Sequence, residues 1–373
     1  MAVIASDEDA REVLRALDGP GPVAVVDHKR ALPHGFADRL HQAPEGTWLV
    51  ALTSGSTAAP RAVCRTRASW QASVADLAAA VGTDAGTRVL VPGPLSSTLF
   101  LHAAWHAGQV GATPVLEPLG TARRWDVAHV VPRQLVSLLA TDADLSGRTA
   151  VVAGAALPSA VAARARARGM RVAAYYGASE LSFVALGPPD DDPVSLPAFP
   201  GVQVVSRDGV LWVRSRLLAS GYLPDEAGAP SSGGPLRQDP DGWASVGDRG
   251  HVLPNGSVVV TGRGGTAVQT GGATVDVAEV ESVLAGAPGV SDVVVLAISH
   301  RDLGHVVGAV VERAGEAVDP ASLRELRGWA RARLTPQALP RRWHLTTSLP
   351  RTSGGKVDRV AAGDLLRAPD PPH

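Results

Sequence analysis

Leu52–Val63, LTSGSTAAPRAV, decides how the chain is read. Val50 and Leu52 belong to WLVAL, a short apolar run that reads as a buried strand. The next positions, Thr53–Pro60, are small, hydroxyl-bearing or Gly/Pro. Thr53, Ser54, Gly55, Ser56 and Thr57 bring backbone N–H groups and hydroxyls close to an anion without side-chain bulk, and Arg61 adds a cation. The spacing is not G-x-x-x-x-G-K-[ST], so this is not a Walker loop.

The chain has 373 residues, more than one ordinary core, and one large plus one small domain is expected. Apolar content of 45 % and charged content of 19 % describe a globular composition. A net charge of −1 gives no reason to expect nucleic acid or an acidic membrane as partner. The single cysteine, Cys64, excludes an intrachain disulfide framework or a Cys-based zinc site, and it reads as a buried small residue. MAVIASDEDA lacks the basic start of a signal peptide, and no run of about 18 apolar residues suggests a membrane span. A cytoplasmic location is the expectation.

Along the chain, periodicity predicts helices over Asp7–Leu17, Ala68–Val81, Leu99–Gly108, Pro132–Ala140 and Pro158–Arg168. Strands are predicted at Val23–Val26, Arg88–Val91, Thr113–Leu116, Val127–Val131, Ala150–Ala153 and Val172–Tyr176. This alternation predicts an α/β fold with a mainly parallel sheet wrapped by helices. His102 and His106 share a helix face but lack the Glu of H-E-x-x-H, and Arg164, Arg166 and Arg168 read as a solvated face. From Gly201 to Val260, short β-prone runs separated by turn residues predict antiparallel hairpins or a small distorted barrel. GRGG, Gly262–Gly265, is the candidate joint. Residues 1–262 are then the large domain and 263–373 a small α+β domain with a hinge near Gly265.

Four more stretches carry chemistry. YYGASE, Tyr175–Glu180, offers an aromatic ring, a hydroxyl in Ser179 and a carboxylate in Glu180 suited to a hard cation held with phosphates; its plain reading is a strand end followed by a helix N-capped by Ser179. SVGDRG, Ser245–Gly250, presents Asp248, an acceptor suited to paired hydroxyls, or simply a turn. TGRGGTAVQTGGATVDVAEVESVL, Thr261–Leu284, contains Arg263 and the Gly271–Gly272 pair. LPRTSGGKVDR, Leu349–Arg359, holds Lys356, one of only two lysines, the other being Lys29. In a chain that uses Arg nearly everywhere, a compact ammonium is kept here.

These five stretches, in this order, resemble the motifs of the adenylate-forming acyl-CoA synthetases, whose superfamily includes firefly luciferases and nonribosomal-peptide adenylation domains. The resemblance runs from about residue 48 to the end. It implies that Thr53, Ser54, Gly55, Ser56, Thr57 and Arg61 hold ATP phosphates. Ala58, Arg61 and Ala62 depart from the family's Gly, Lys and Gly, which weakens the expected grip on ATP. It further implies Tyr176 and Gly177 at the adenine, Ser179 at the α-phosphate, Glu180 on Mg²⁺, and Asp248 with Arg263 at the ribose. Gly271 and Gly272 would flank the thiol arm of CoA or of a carrier-protein phosphopantetheine, and Lys356 would meet the reacting carboxylate. An acyl pocket is expected from Ser96 to His106 and from Gly154 to Ala156, with Gly154 and Ala155 counted among the ligand-binding residues and Ser97 where the family often has His. The implied activity is ATP-dependent conversion of a small carboxylic acid to its acyl-adenylate and then its CoA thioester. Alternatives are loading of an acyl carrier protein, o-succinylbenzoate–CoA ligation, suggested by the short N-terminal part, and a degenerate non-catalytic binding homologue.

Overall fold

The computed structural model describes residues 3–29, 32, 35–53, 61–189, 191, 193–224, 236–263, 267–270, 273–300, 304–313 and 320–367. The chain divides into two compact units, the first being Met1–Gly55, Ala59–Val260 and Ser353–Lys356, the second Ser56–Ala58, Thr261–Thr352 and Val357–His373.

Among the described residues the first unit holds two sheets with parallel centres and an antiparallel third. One sheet runs Val3–Ser6, Val23–Val26, Leu49–Thr53, Arg61–Arg65, Gly221–Tyr222; its first three strands are parallel and the last two pairings antiparallel. A second runs Ser182–Leu186, Arg171–Ala178, Thr149–Val152, Val127–Val130, Arg88–Leu90, Thr113–Val115, parallel except at Ser182–Leu186. Central strands such as VAHV and TAVV are buried at every residue, as expected where both faces are covered. The third sheet, seven-stranded among the described residues, lies within Ser195–Arg263 and realises the predicted hairpin texture.

Local chemistry moves several boundaries. The first helix is Ala10–Asp18, not Asp7 onward, because Asp9 is the N-cap and accepts from the Arg11 and Glu12 amides at 2.9 and 3.0 Å. Asp7 instead accepts from His28 N and Ser96 Oγ. The predicted helix Ala68–Val81 breaks into Arg67–Gln71 and Val74–Val81. Ser73 causes the break: its hydroxyl donates back to the Trp70 carbonyl at 2.7 Å and meets His102 Nε2 at 3.1 Å, competing with the helix ladder. Val3–Ser6 and Ser182–Leu186 are strands that periodicity did not reveal. Arg166 and Arg168 are more than a solvated face, since Arg166 donates to the Asp191 carbonyl and Arg168 to those of Leu139, Thr141 and Ala143.

The second unit is, among the described residues, a five-stranded sheet, Ala273–Asp276, Ala267–Thr270, Gly304–Arg313, Val290–His300, with Arg342–Thr346 parallel to Gly304–Arg313. Strand alternation sorts its valines. Val293, Val295, Val307 and Val311 face a core closed by Val280 and Leu284 of Val277–Ala285 and by Leu326 and Ala330 of Pro320–Arg331. Val294 and Val310 face the other way, onto Ala362 and Leu366 of Arg359–Arg367.

Candidate active site

The YYGASE motif does not start a helix. Its strand, Arg171–Ala178, turns at Ser179–Leu181 and returns antiparallel as Ser182–Leu186. Two backbone features make that turn. A Cβ on Gly177 would sit 2.1 Å from the Ser182 carbonyl oxygen, so only glycine permits the approach. Ser182 takes a left-handed φ of 59°, an uncommon conformation for a non-glycine residue and a mark of a constrained turn. Ser179 caps nothing; its hydroxyl lies 2.8 Å from Thr98 Oγ1 at the start of helix Thr98–Gln109.

The turn leaves Glu180 6 % exposed, with Oε1 accepting a 2.8 Å bond from Tyr222 Oη. Tyr222 stands on Gly221–Tyr222, opposite Val63 of Arg61–Arg65. Along that strand Arg61, Val63 and Arg65 share one face, and a cross-strand partner projects to the same side. Burial pushes the Tyr222 phenol far up, the Glu180 carboxylate adds to the rise, and the Arg61 cation partly offsets both. Arg61 and Glu180 thus act on one phenol, the first from the end of the expected phosphate loop and the second from the YYGASE turn.

Tyr176 and Asp248 also meet. The Tyr176 hydroxyl donates to Asp248 Oδ2 at 2.8 Å. Gly247, at φ +80°, makes the turn that delivers Asp248, which is 7 % exposed, into Asp248–Val252. Two expected ligand residues from distant motifs are therefore joined by one hydrogen bond. Gly154 and Ala155 follow the neighbouring strand Thr149–Val152 and are exposed, with Gly154 at φ +87°.

Arg65 was not foreseen. It is 1 % exposed, and its guanidinium donates to the carbonyls of Ser179 and Leu217. Burial lowers its pKa to about 10, opposed by the Glu180 charge, so it remains cationic at neutral pH. The available signal was an Arg ending RAVCR, four residues from Arg61 on the same strand face and preceded by apolar Ala62, Val63 and Cys64.

The remaining expected residues fall differently. Phe100 and Trp105, expected near an acyl pocket, are buried core residues, with Trp105 packed 5.5 and 5.4 Å from Trp48 and Trp70. His102 and His106 are buried too: His102 pairs with Ser73, and His106 Nε2 meets the Val74 carbonyl at 3.1 Å. Cys64 is buried, and loss of solvent pushes its thiol up to about 12 against a Thr47 hydrogen bond, which suits an inert core residue. Ser54, Gly55, Ser56, Thr57, Gly265, Gly271 and Gly272 lie outside the described residues, as do the side chains of Thr53 and Arg263.

Arg351 and Val357, of the second unit, form an isolated antiparallel bridge. The intervening loop, Ser353–Lys356, groups with the first unit, with Gly355 at φ +80° and Lys356 exposed. The ion pairs of Arg351 and Arg359 belong to the second unit. Arg351 pairs with Asp292 at 2.6 Å and Glu312 at 3.2 Å, and Glu312 also accepts from the Leu349 amide. Arg359, just after the loop, pairs with Glu281 at 2.9 Å. Glu281 thus has a structural role in this ion pair.

Residues 3–223 match the family model for the AMP-binding enzyme, and residues 279–356 match that for the AMP-binding enzyme C-terminal domain. The chain belongs to the AMP-binding enzymes. It is 28 % identical over 92 % of its length, and 74 % of the relative's, to the "Uncharacterized acyl--CoA ligase YhfT" of Bacillus subtilis (strain 168). It is 30 % identical over 93 % of its length, and 92 % of the relative's, to the "Probable 2-succinylbenzoate--CoA ligase" of Mycobacterium tuberculosis (strain ATCC 25618 / H37Rv). Among solved structures, a single-substitution variant of E. coli MenE with bound OSB-AMS shares its fold at a TM-score of 0.82 and 23 % identity, covering 97 % of this chain and 87 % of that one. The expected adenylate-forming membership, mixed α/β fold and AMP-forming acyl-CoA ligase class therefore stand. The family uses ATP and CoA. No helix among the described residues is long and apolar enough to cross a membrane.

Proposed function

We propose that this AMP-binding enzyme joins a small carboxylic acid to CoA in two steps through residues of its own motifs. The convergence of Tyr176 with Asp248, and of Arg61, Tyr222 and Glu180 around one phenol, carries the reading. In the first step a carboxylate oxygen attacks the α-phosphorus of ATP; the bond to the bridging oxygen breaks and pyrophosphate leaves. Thr53–Thr57 and Arg61 hold the departing phosphates, Tyr176 and Gly177 pack at the base, and Asp248 and Arg263 receive the ribose hydroxyls. Ser179 faces the α-phosphate, Gly154 and Ala155 flank the nucleotide and acid, and Lys356 binds the oxygens on which charge accumulates. Such chemistry depends on position and charge neutralisation.

Glu180 fits a divalent cation: Tyr222 occupies Oε1, and Oε2 has no hydrogen bond among the described residues. One open carboxylate oxygen suits Mg²⁺, which takes few protein ligands and completes its shell with phosphate and water. When bound, the ion neutralises phosphate charge; Tyr222 fixes the carboxylate that would hold it.

In the second step the CoA sulfur attacks the acyl carbon, AMP leaves and the thiol proton passes to solvent. The small domain, 263–373, turns about Gly265, withdrawing Lys356 and bringing Gly271–Gly272 to the thiol arm. CoA is the proposed acceptor, and 2-succinylbenzoate is the first acid to try, because the M. tuberculosis relative bears that ligase's name.

The test is pyrophosphate release from ATP over a panel of carboxylic acids, with CoA and with a holo carrier protein. Acid-dependent pyrophosphate with a CoA thioester is expected. Thioester on the carrier alone moves the acceptor; no acid-dependent pyrophosphate across the panel overturns the reading.

A further inference from the structure

Among the described residues Arg65 is the largest side chain buried below 2 % exposure, and no motif assigns it a task. Its surroundings define one. Its two Nη groups bridge the carbonyls of Ser179 and Leu217. The same two segments are tied by Ala219 N donating to the Glu180 carbonyl at 2.8 Å, and Ser220 N donates to the Cys64 carbonyl at 2.9 Å, back on the Arg61–Arg65 strand. Glu180 therefore sits in a turn fastened to 217–220 on both sides of its own peptide unit. Neutral donors could satisfy two carbonyls. A guanidinium adds a full charge beside the Glu180 carboxylate, and it is held although its Nε–H has no partner among the described residues. Burying a cation with one N–H unmet is unfavourable, so the fork must be retained for what it positions.

We propose that Arg65 is the positioning residue for Glu180: its fork fixes the Ser179–Glu180 turn so that the carboxylate stays aimed at the cation shared with the ATP phosphates. This rests on the reading of Glu180 as the cation-facing carboxylate. Groups that orient a metal-binding side chain typically matter by about 10- to 100-fold in metal affinity.

The experiment uses the full chain, Mn²⁺ and α,β-methylene-ATP, with free Mn²⁺ counted by electron paramagnetic resonance. R65K keeps the charge but lacks the fork, and R65Q lacks the charge as well. Mn²⁺ binding in the presence of the nucleotide is expected to weaken about threefold to tenfold in R65K and about tenfold or more in R65Q. Nucleotide binding in excess chelator should stay at the wild-type value in both, a separation that general loosening of the fold would not give. E180Q, run alongside, should weaken Mn²⁺ binding by about tenfold or more. Wild-type Mn²⁺ constants in R65K and R65Q with a weakened E180Q overturn the role of Arg65 and leave Glu180 standing. An unaltered E180Q removes both. Parallel loss of chelated-nucleotide binding in the Arg65 variants also overturns positioning. If R65Q does not fold, R65K decides by the same criteria.

Discussion

The two units keep their interior charges in opposite ways. In the first, Arg65 gives its donors to backbone carbonyls inside the protein, and His102, His106 and His129 are buried as neutral rings among apolar and aromatic neighbours. In the second, Arg351 and Arg359 meet carboxylates: Glu312 is buried, while Asp292 and the Arg359–Glu281 pair are partly exposed. The first arrangement is shielded from salt and open to disruption by protons. In the second, salt reaches the Arg359–Glu281 pair, because screening acts on partly exposed charges. The first unit thus settles a buried cation on backbone oxygens, and the second settles its cations on carboxylates.

Lys356 gives the largest contrast. K356A is expected to lose on the order of 10²–10³ in acyl-adenylate formation, as for removal of one pre-organised charge, yet to convert supplied acyl-adenylate to thioester within about threefold of wild type. Rates of the two half-reactions check this, and equal losses would break the proposed division of labour.

Acid should come next and should single out the first unit. Burial drives His129 down to about 3, and burial also lowers His102 and His106, with neighbouring imidazoles contributing at His102 and His129. Below the unfolded-chain value of about 6.5 the unfolded state binds protons that the folded state refuses, so stability falls as pH drops toward the depressed folded values. Each such ring removes up to about 1.4 kcal/mol per pH unit in that window. Urea midpoints followed between pH 7 and 5 should decline steeply, and less steeply in H129L. A flat profile would remove the contrast.

R359M probes the opposite side and should have the smallest effect. Losing its partly exposed pair with Glu281 is expected to cost about 1 kcal/mol in low salt, with the difference from wild type shrinking at 1 M NaCl. A salt-independent loss would place Arg359 with Arg65, not against it.

Much of this was legible in the residues. The strand–helix alternation predicts the parallel sheets that form, and the motif order singles out Tyr176, Glu180, Asp248 and Lys356, of which the fold joins Tyr176 to Asp248. What stayed hidden was tertiary. The Ser73 hydroxyl breaks a helix that periodicity draws as continuous, because its partner His102 is 29 residues away. Ser179 resembles an N-cap in sequence, yet Thr98 claims its hydroxyl. Tyr222 emerges only when Gly221–Tyr222 folds against Arg61–Arg65, and the same pairing gives Arg65, a lone Arg in an apolar strand by sequence, its place beside Glu180.

That pairing has a corollary for relatives of this chain. Arg61 and Arg65 occupy the same side of a strand because their separation is even. A lineage that gained or lost a single residue between them would send one guanidinium to the opposite layer, while a two-residue change would restore parity. A same-length change at the buried Val63 or Cys64 costs packing but keeps both guanidiniums on their side, and a change in the count does not.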